Sequence, residues 1–261
     1  MSDAAVLYQV DDHVATITIN RPEAYNSLNY EAYEQLTAHF NEASHDDEVR
    51  AIVLTGTGRG FCTGDDVREL LGEGAAELGR RIASGQLQLP GSAMRRCDRP
   101  VIGAVNGAAV GYGMELSLLC DIRIASERAR FSEMFVRRAI VAGADSFEIL
   151  PQVVGAAAAA ELLMSGDLID ATRALELGLV SRVVPDGELL PAAQGLAAHL
   201  AANPPLAVRA AKRALTLARG GKAAELRDFL NGSVSTLLAT DDHQESVAAF
   251  LQRREPVFHG R

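Results

Sequence analysis

A chain of 261 residues, 48% of them hydrophobic, is long enough to bury one substantial core, and single α/β domains reach this size. Its formal net charge of −9 supplies no global field for nucleic acid or an acidic membrane surface, so an anionic ligand would need a local basic patch. Cys62, Cys97 and Cys120 are odd in number, lack metal-ligand spacing and sit in or beside apolar runs, which reads as buried reduced thiols in a cytoplasmic protein.

Val6 to Val10 and Val14 to Asn20 read as strands joined in a hairpin by Asp11-Asp12-His13. Tyr30 to Ser44 has helical spacing, with Tyr33, Leu36 and Phe40 on one face. Ala51 to Thr55 is a short buried strand followed by the glycine-rich Gly56 to Gly60, and Asp66 to Leu71 opens a helix. Gly72 to Arg99 is charged and only partly helical. Val101 to Val105 is a second buried strand, with glycines leading into a helix near Gly113, and Ile122 to Ala125 and Ala129 to Ser132 are short strands. From Ser146 the pattern is helical, interrupted by a strand-like Leu179 to Val184, and Leu206 to Leu217 and His243 to Arg253 are amphipathic. Strands alternating with helices in the first half predict an α/β core with parallel strands. Met1-Ser2-Asp3 has no apolar leader character, and no apolar run is long enough for a membrane span.

Two segments occupy the same context, after a buried strand and before a helix: Gly60-Phe61-Cys62-Thr63-Gly64-Asp65-Asp66 and Asn106-Gly107-Ala108-Ala109-Val110-Gly111-Tyr112-Gly113-Met114-Glu115. Glycine admits close backbone approach and positive φ, and a helix start presents unpaired N–H groups. Two such turns side by side can aim one N–H each at a single oxygen, the geometry that stabilises an oxyanion or enolate. Neither segment has the G-K-[ST] ending of a phosphate loop or the G-x-G-x-x-G spacing of a dinucleotide site.

At these residues the chain resembles the crotonase (enoyl-CoA hydratase/isomerase) family. The matching stretches are Ile19 to Leu28, Gly60 to Leu70, Pro100 to Ile122, Leu163 to Asp167, Ala174 to Val180 and the terminal Arg254 to Phe258. The resemblance implies a core of stacked β-β-α turns over residues 1–200, carrying the active site and the coenzyme A site. It implies a helical region over 201–261 that covers the active site and assembles a homotrimer or a homohexamer built as a dimer of trimers. The implied substrate is an acyl-CoA, with coenzyme A as part of the thioester and no metal or redox cofactor. Carried over by position, the oxyanion amides belong to Asp65 and Tyr112, and Ala24, Gly64 and Gly111 line the coenzyme A and thioester site. Arg68 falls where the family places a basic residue near the phosphates, with a solvated helix residue as the open alternative. Phe258 falls where an aromatic from a neighbouring subunit touches the adenine, although anchoring the C-terminus is the better reading for it.

Hydratases of this family hold one water between two glutamates. Glu115 matches the first, at a helix start where the macrodipole favours its anion. The second position falls on Phe135. Glu133, two residues earlier, shares its face only if the stretch is extended. Asp145 is the other candidate, yet Asp145-Ser146-Phe147-Glu148 reads as an N-cap with Glu at N3, so capping is its expected role. Glu115 is therefore expected to be the single essential carboxylate, in a hydratase or isomerase. The scaffold's other reactions (thioester hydrolysis, dehalogenation, C–C cleavage) and a silent acyl-CoA binder remain the alternatives.

Overall fold

The computed structural model describes residues 4–71 and 74–261. Residues 72 and 73, where the charged stretch to Arg99 was expected to begin, lie outside the described residues. The hairpin β1 (Val6–Asp11) and β2 (Val14–Ile19) pairs antiparallel. Asp12 and His13 both take positive φ, 43° and 65°, as a two-residue hairpin turn matched to strand twist requires. Helix α1 (Tyr30–His45) follows, capped by the Asn29 side chain, and buries Tyr33, Leu36 and Phe40 as its spacing predicts.

Three β-β-α units come next. The first is β3 (Ala51–Gly56), β4 (Gly60–Cys62), a π turn at Val67–Leu71, α2 (Ala75–Ala83) and α3 (Pro90–Arg96). The second is β5 (Val101–Val105), β6 (Ala108–Val110) and α4 (Tyr112–Leu119). The third is β7 (Ile122–Ser126), β8 (Arg130–Ser132), a 3-10 turn at Met134–Arg138, α5 (Ala144–Val154) and α6 (Ala156–Ser165). After them come β9 (Ile169–Asp170), α7 (Ala171–Glu176), β10 (Arg182–Val184) and α8 (Leu189–Ala201). The first strand of each unit enters a six-stranded sheet ordered β1-β2-β3-β5-β7-β10, and the second enters a four-stranded sheet ordered β4-β6-β8-β9. The stacked β-β-α core is thereby observed. The short strands β4 and β6 were not read from the sequence, because they lie inside the glycine segments, which read as turns leading into helices.

Alternation along the buried strands divides the core. Ile52 and Leu54 of β3 face α1 and the small sheet, whereas Ala51 and Val53 face α8, whose Leu189, Ala193 and Ala197 cover the outer side of the large sheet. Cys62, Cys97 and Cys120 are buried and unpaired, as expected.

The last three helices are α9 (Pro205–Arg219), α10 (Ala223–Leu238) and α11 (Asp241–Gln252). Lys212 ties α9 to the core through Asp121 at 2.8 Å and the Arg99 carbonyl at 2.7 Å. The terminus folds back on its own chain, with the His259 and Gly260 N–H groups donating to Asp242 and Arg50 donating to the Phe258 carbonyl. Among the described residues no helix is long and apolar enough to cross a membrane.

The units stack closely because two glycines allow it. A Cβ on Gly107 would lie 2.7 Å from the Arg59 carbonyl carbon, and one on Gly113 would lie 2.6 Å from the Cys62 carbonyl carbon. Gly113→Ala should therefore push α4 off β4 and lower stability by about 1–3 kcal/mol, the usual cost of overpacking, in denaturant unfolding. An unchanged unfolding midpoint would show that the two turns can separate freely.

Candidate active site

The first glycine turn is held by two asparagines. Asn26, in the left-handed region at φ 58° and fully buried, donates to the Gly60 carbonyl at 2.6 Å and the Thr57 carbonyl at 2.9 Å. Asn106 donates to the carbonyls of Gly56, Gly58 and Gly60 at 2.8–3.1 Å. Sequence reasoning gave neither a role, although both lie in the quoted motifs and asparagine is the non-glycine residue best suited to positive φ and loop carbonyls.

Gly64, at φ +84°, packs against the second turn, where its missing Cβ would lie 2.9 Å from the Val110 carbonyl oxygen and 3.1 Å from the Tyr112 nitrogen. The backbone N–H groups of Asp65 and Tyr112 are thus neighbours, and among the described residues neither donates to a protein acceptor. Their side chains turn inward, as the oxyanion reading requires. The Tyr33 hydroxyl donates to Asp65 Oδ1, and the Tyr112 hydroxyl accepts from the Gly91 N–H at 3.1 Å. The Tyr33 and Tyr112 rings pack 5.5 Å apart. Burial raises the Asp65 carboxyl pKa, partly offset by the Tyr33 hydroxyl. In front of these amides is a cleft of about 80 Å³ lined by Thr63 to Asp65, Val67, Val110 to Tyr112, Met134, Phe135, Arg138 and Ile140.

Glu115 sits in the first turn of α4 and is 4% exposed. Its carboxylate packs against Gly143, the N-cap of α5, where the nearby backbone N–H groups of Gly143 and Asp145 favour its charged form. It fills the space a side chain at 143 would need, since a Cβ there would lie 2.7 Å from Oε2. Burial and the nearby Asp145 charge push Glu115 up to about 7.

Asp145 is not the N-cap. The cap position is Gly143, Asp145 is the second residue of α5, and its carboxylate pairs with Arg95 of α3. Glu148 does not close a capping box either but pairs with the same guanidinium at 2.8 Å. The capping expectation fails because the helix begins two residues earlier and a long-range cation outcompetes a local backbone bond. Arg95 went unread because nothing local marks an ion pair across fifty positions.

Phe135 and Glu133 do not share a face. Glu133 has φ −83° and ψ 30° and starts the 3-10 turn, so the stretch is not extended there. The Phe135 ring lies about 4 Å from where a Gly111 Cβ would stand and lines the cleft. Glu133 is turned inward, 1% exposed, with Oε2 bonded to the Ser146 hydroxyl at 3.1 Å and Oε1 without a partner. Burial and the Glu115 charge push Glu133 up to about 7 as well.

Ala24 ends the turn Pro22–Ala24 next to Tyr25, whose carbonyl accepts from Thr63 at 3.2 Å, so it borders the first glycine turn. Arg68 is exposed on the π turn. Phe258 is half-buried against its own chain. Among the described residues no group of three or more His, Cys, Asp or Glu side chains could hold a metal ion.

A family model described as enoyl-CoA hydratase/isomerase matches residues 9–261. (E)-Benzylidenesuccinyl-CoA hydratase of Thauera aromatica is 38% identical over 98% of this chain and 99% of its own length. 1,2-Epoxyphenylacetyl-CoA isomerase of Escherichia coli is 35% identical over 98% of each chain. The crystal structure of an enoyl-CoA hydratase from Bacillus anthracis matches with a TM-score of 0.92 at 32% identity, over 98% of this chain and 100% of that one. Fold, site and relatives together define an acyl-CoA-transforming enzyme of lyase or isomerase type. The chain belongs to the enoyl-CoA hydratase/isomerase family.

The two raised glutamates give stability a pH dependence. A carboxyl whose pKa rises on folding binds more protons folded than unfolded. Its contribution is complete below the ordinary value of 4.5 and is lost as pH rises through about 7. Unfolding free energy should therefore fall over that window, and Glu115→Gln should flatten the fall. A curve of equal slope in the variant would mean that Glu115 titrates normally.

Proposed function

We propose that this enzyme adds water reversibly across the α,β double bond of an enoyl-CoA, with Glu115 as acid and base and the Asp65 and Tyr112 N–H groups binding the thioester oxygen. The observation that carries this reading is the buried Glu115 carboxylate beside two backbone amides that have no protein acceptor. As hydroxide adds to the β-carbon, electrons move onto the thioester oxygen, and the two amides stabilise that charge. Glu115 removes a proton from the water and returns one to the α-carbon, so one water is consumed and the carboxylate is regenerated. Only protons and water move, so the scheme calls for no metal or redox cofactor, coenzyme A being part of the substrate.

Double-bond isomerisation uses the same base and oxyanion site, with a carbon rather than water as the proton donor. The Phe135 ring in the cleft wall favours it as the second reading, because an aromatic there cannot hold a water. In either case the coenzyme A moiety runs past Ala24, Gly64 and Gly111, and Arg68 offers its phosphates a charge on an otherwise acidic protein.

Glu115→Gln keeps the shape and removes the proton acceptor, so turnover should fall by roughly 10²–10⁴ while the substrate still binds. Asp145→Asn leaves the 143 and 145 backbone N–H groups in place and should keep most activity. Exchange of substrate α-hydrogens with D₂O should survive in Asp145→Asn and vanish in Glu115→Gln. Loss of exchange in a folded Asp145→Asn protein would make Asp145 part of the reacting unit. Product mass separates hydration, which adds one water, from isomerisation, which leaves the mass unchanged.

Assembly follows from the C-terminal helices, which carry Leu230, Val234, Leu238, Phe250 and Leu251 outward. We read this face as the interface of a homotrimer or a dimer of trimers, in a cytoplasmic enzyme with free thiols. Sedimentation equilibrium should give a trimer or a hexamer. A stable monomer at working concentration would leave these side chains unexplained and Phe258 without a neighbour's ligand to touch.

A further inference from the structure

Glu133 plays no part in the chemistry just described, yet it is a buried carboxyl with one oxygen lacking any partner. An anion there would have one hydroxyl as its only hydrogen-bonding partner and one bare oxygen. A neutral acid would leave only a carbonyl oxygen unpaired, with its O–H directed to Ser146, at far smaller cost. Glu115 is placed the other way, in the first turn of α4 with its carboxylate against the Gly143 N-cap of α5, at the positive ends of two helices. The two groups share a support. Gly143 packs against the Glu115 carboxylate and Ser146 bonds Glu133, so one short segment at the start of α5 bears on both carboxyls. The charged groups bearing on Glu115 are Asp145 of α5 and Arg95 of α3, while the one bearing on Glu133 is Glu115 of α4.

We infer that Glu133 is a positioning residue of this site: the Glu115–Glu133 pair carries one negative charge, resting on Glu115, and Glu133 is the neutral acid that keeps it there. The inference builds on the acid–base role proposed for Glu115. Two carboxyls against one buried turn cannot both ionise cheaply, and the helix ends facing Glu115 decide that it is the one that does. Ionising Glu133 would set a second negative charge beside Glu115 and beside the developing oxyanion, so turnover must decline on the alkaline side.

Infrared difference spectroscopy at neutral pH and the pH profile of kcat test this together. The wild-type enzyme should show a protonated-carboxyl C=O band that is absent in Glu133→Gln and present in Glu115→Gln. Glu133→Gln mimics the neutral acid, so it should keep kcat and KM near wild type at neutral pH and lose the alkaline limb. Persistence of the band in Glu133→Gln, or an unchanged alkaline limb, overturns the inference. So does a loss of a hundredfold or more in kcat in a folded variant that still binds substrate, because Glu133 would then itself react. Should Glu133→Gln fail to fold, Ser146→Ala carries the test. Losing the hydroxyl partner should shift the band, and an unmoved band overturns the inference. Full turnover in Glu115→Gln would overturn the proposed base and leave the infrared result on Glu133 standing, so the two failures read differently.

Discussion

The site depends on how closely the second glycine turn can lie on the first. β4 and β6 are parallel neighbours, with Gly60 opposite Ala108 and Cys62 opposite Ala109. That register alone would keep the following turns a strand spacing apart. Gly107, Gly113 and Gly64 remove the side chains that would separate them, so the Tyr112 nitrogen comes within van der Waals reach of the Gly64 position. An oxyanion hole made of side chains could tolerate some looseness, but one made of two backbone amides is fixed by the packing of the sheets that carry them. Core stacking and catalytic geometry are one constraint here.

In the proposed reaction it is the amides that carry the chemistry, which leaves the side chains at the same positions free to do structural work. Asp65 and Tyr112 are large for a turn that must receive a thioester, and the fold accommodates them by turning both into a buried cluster with Tyr33 and Gly91. That cluster joins α1, the first glycine turn, α3 and the start of α4. The Tyr112 side chain reaches across to α3, and Arg95 of that same helix clamps Asp145 and Glu148. The start of α5, against which Glu115 packs, is therefore tied to the second glycine turn through α3. Rigid support on packed elements is what lets small groups act with defined geometry.

Much of this was legible in the residues. Tyr33, Leu36 and Phe40 announced the buried face of α1, Ala51 to Thr55 and Val101 to Val105 announced central strands, and the matching glycine segments announced the paired turns. Glu115 is singled out by the family resemblance, since it matches the first glutamate at a helix start after the second glycine segment. The illegible parts are long-range or hidden in turns. β4 and β6 lie inside glycine segments that read as turns, and the Arg95 pairings span some fifty positions. The sequence Asp145-Ser146-Phe147-Glu148 satisfies the local rule for a cap, but α5 begins at Ala144, with Gly143 at the cap against the Glu115 carboxylate and a cation claiming the aspartate. Glu133 depended on a backbone angle that no pattern of residue types encodes.

The charge inventory explains why the carboxyls are buried rather than paired. A chain with net charge −9 must receive a polyanionic thioester at a site already holding Glu115, Glu133, Asp65 and Asp145. Four ionised carboxylates would repel both the ligand and the enolate that must form. Salt bridges could cancel them, but buried guanidinium groups are expensive to desolvate and would compete with the substrate for the same oxygens. The observed arrangement uses one cation, Arg95, on the most exposed of these interactions, and leaves burial to raise the others. Raising Glu133 toward neutral pH removes its charge without adding a counter-charge, and the same burial places the proton affinity of Glu115 where a group that must both take and give a proton works best. The same burial that makes the site costly to fold at high pH is thus what makes it electrically able to accept its substrate.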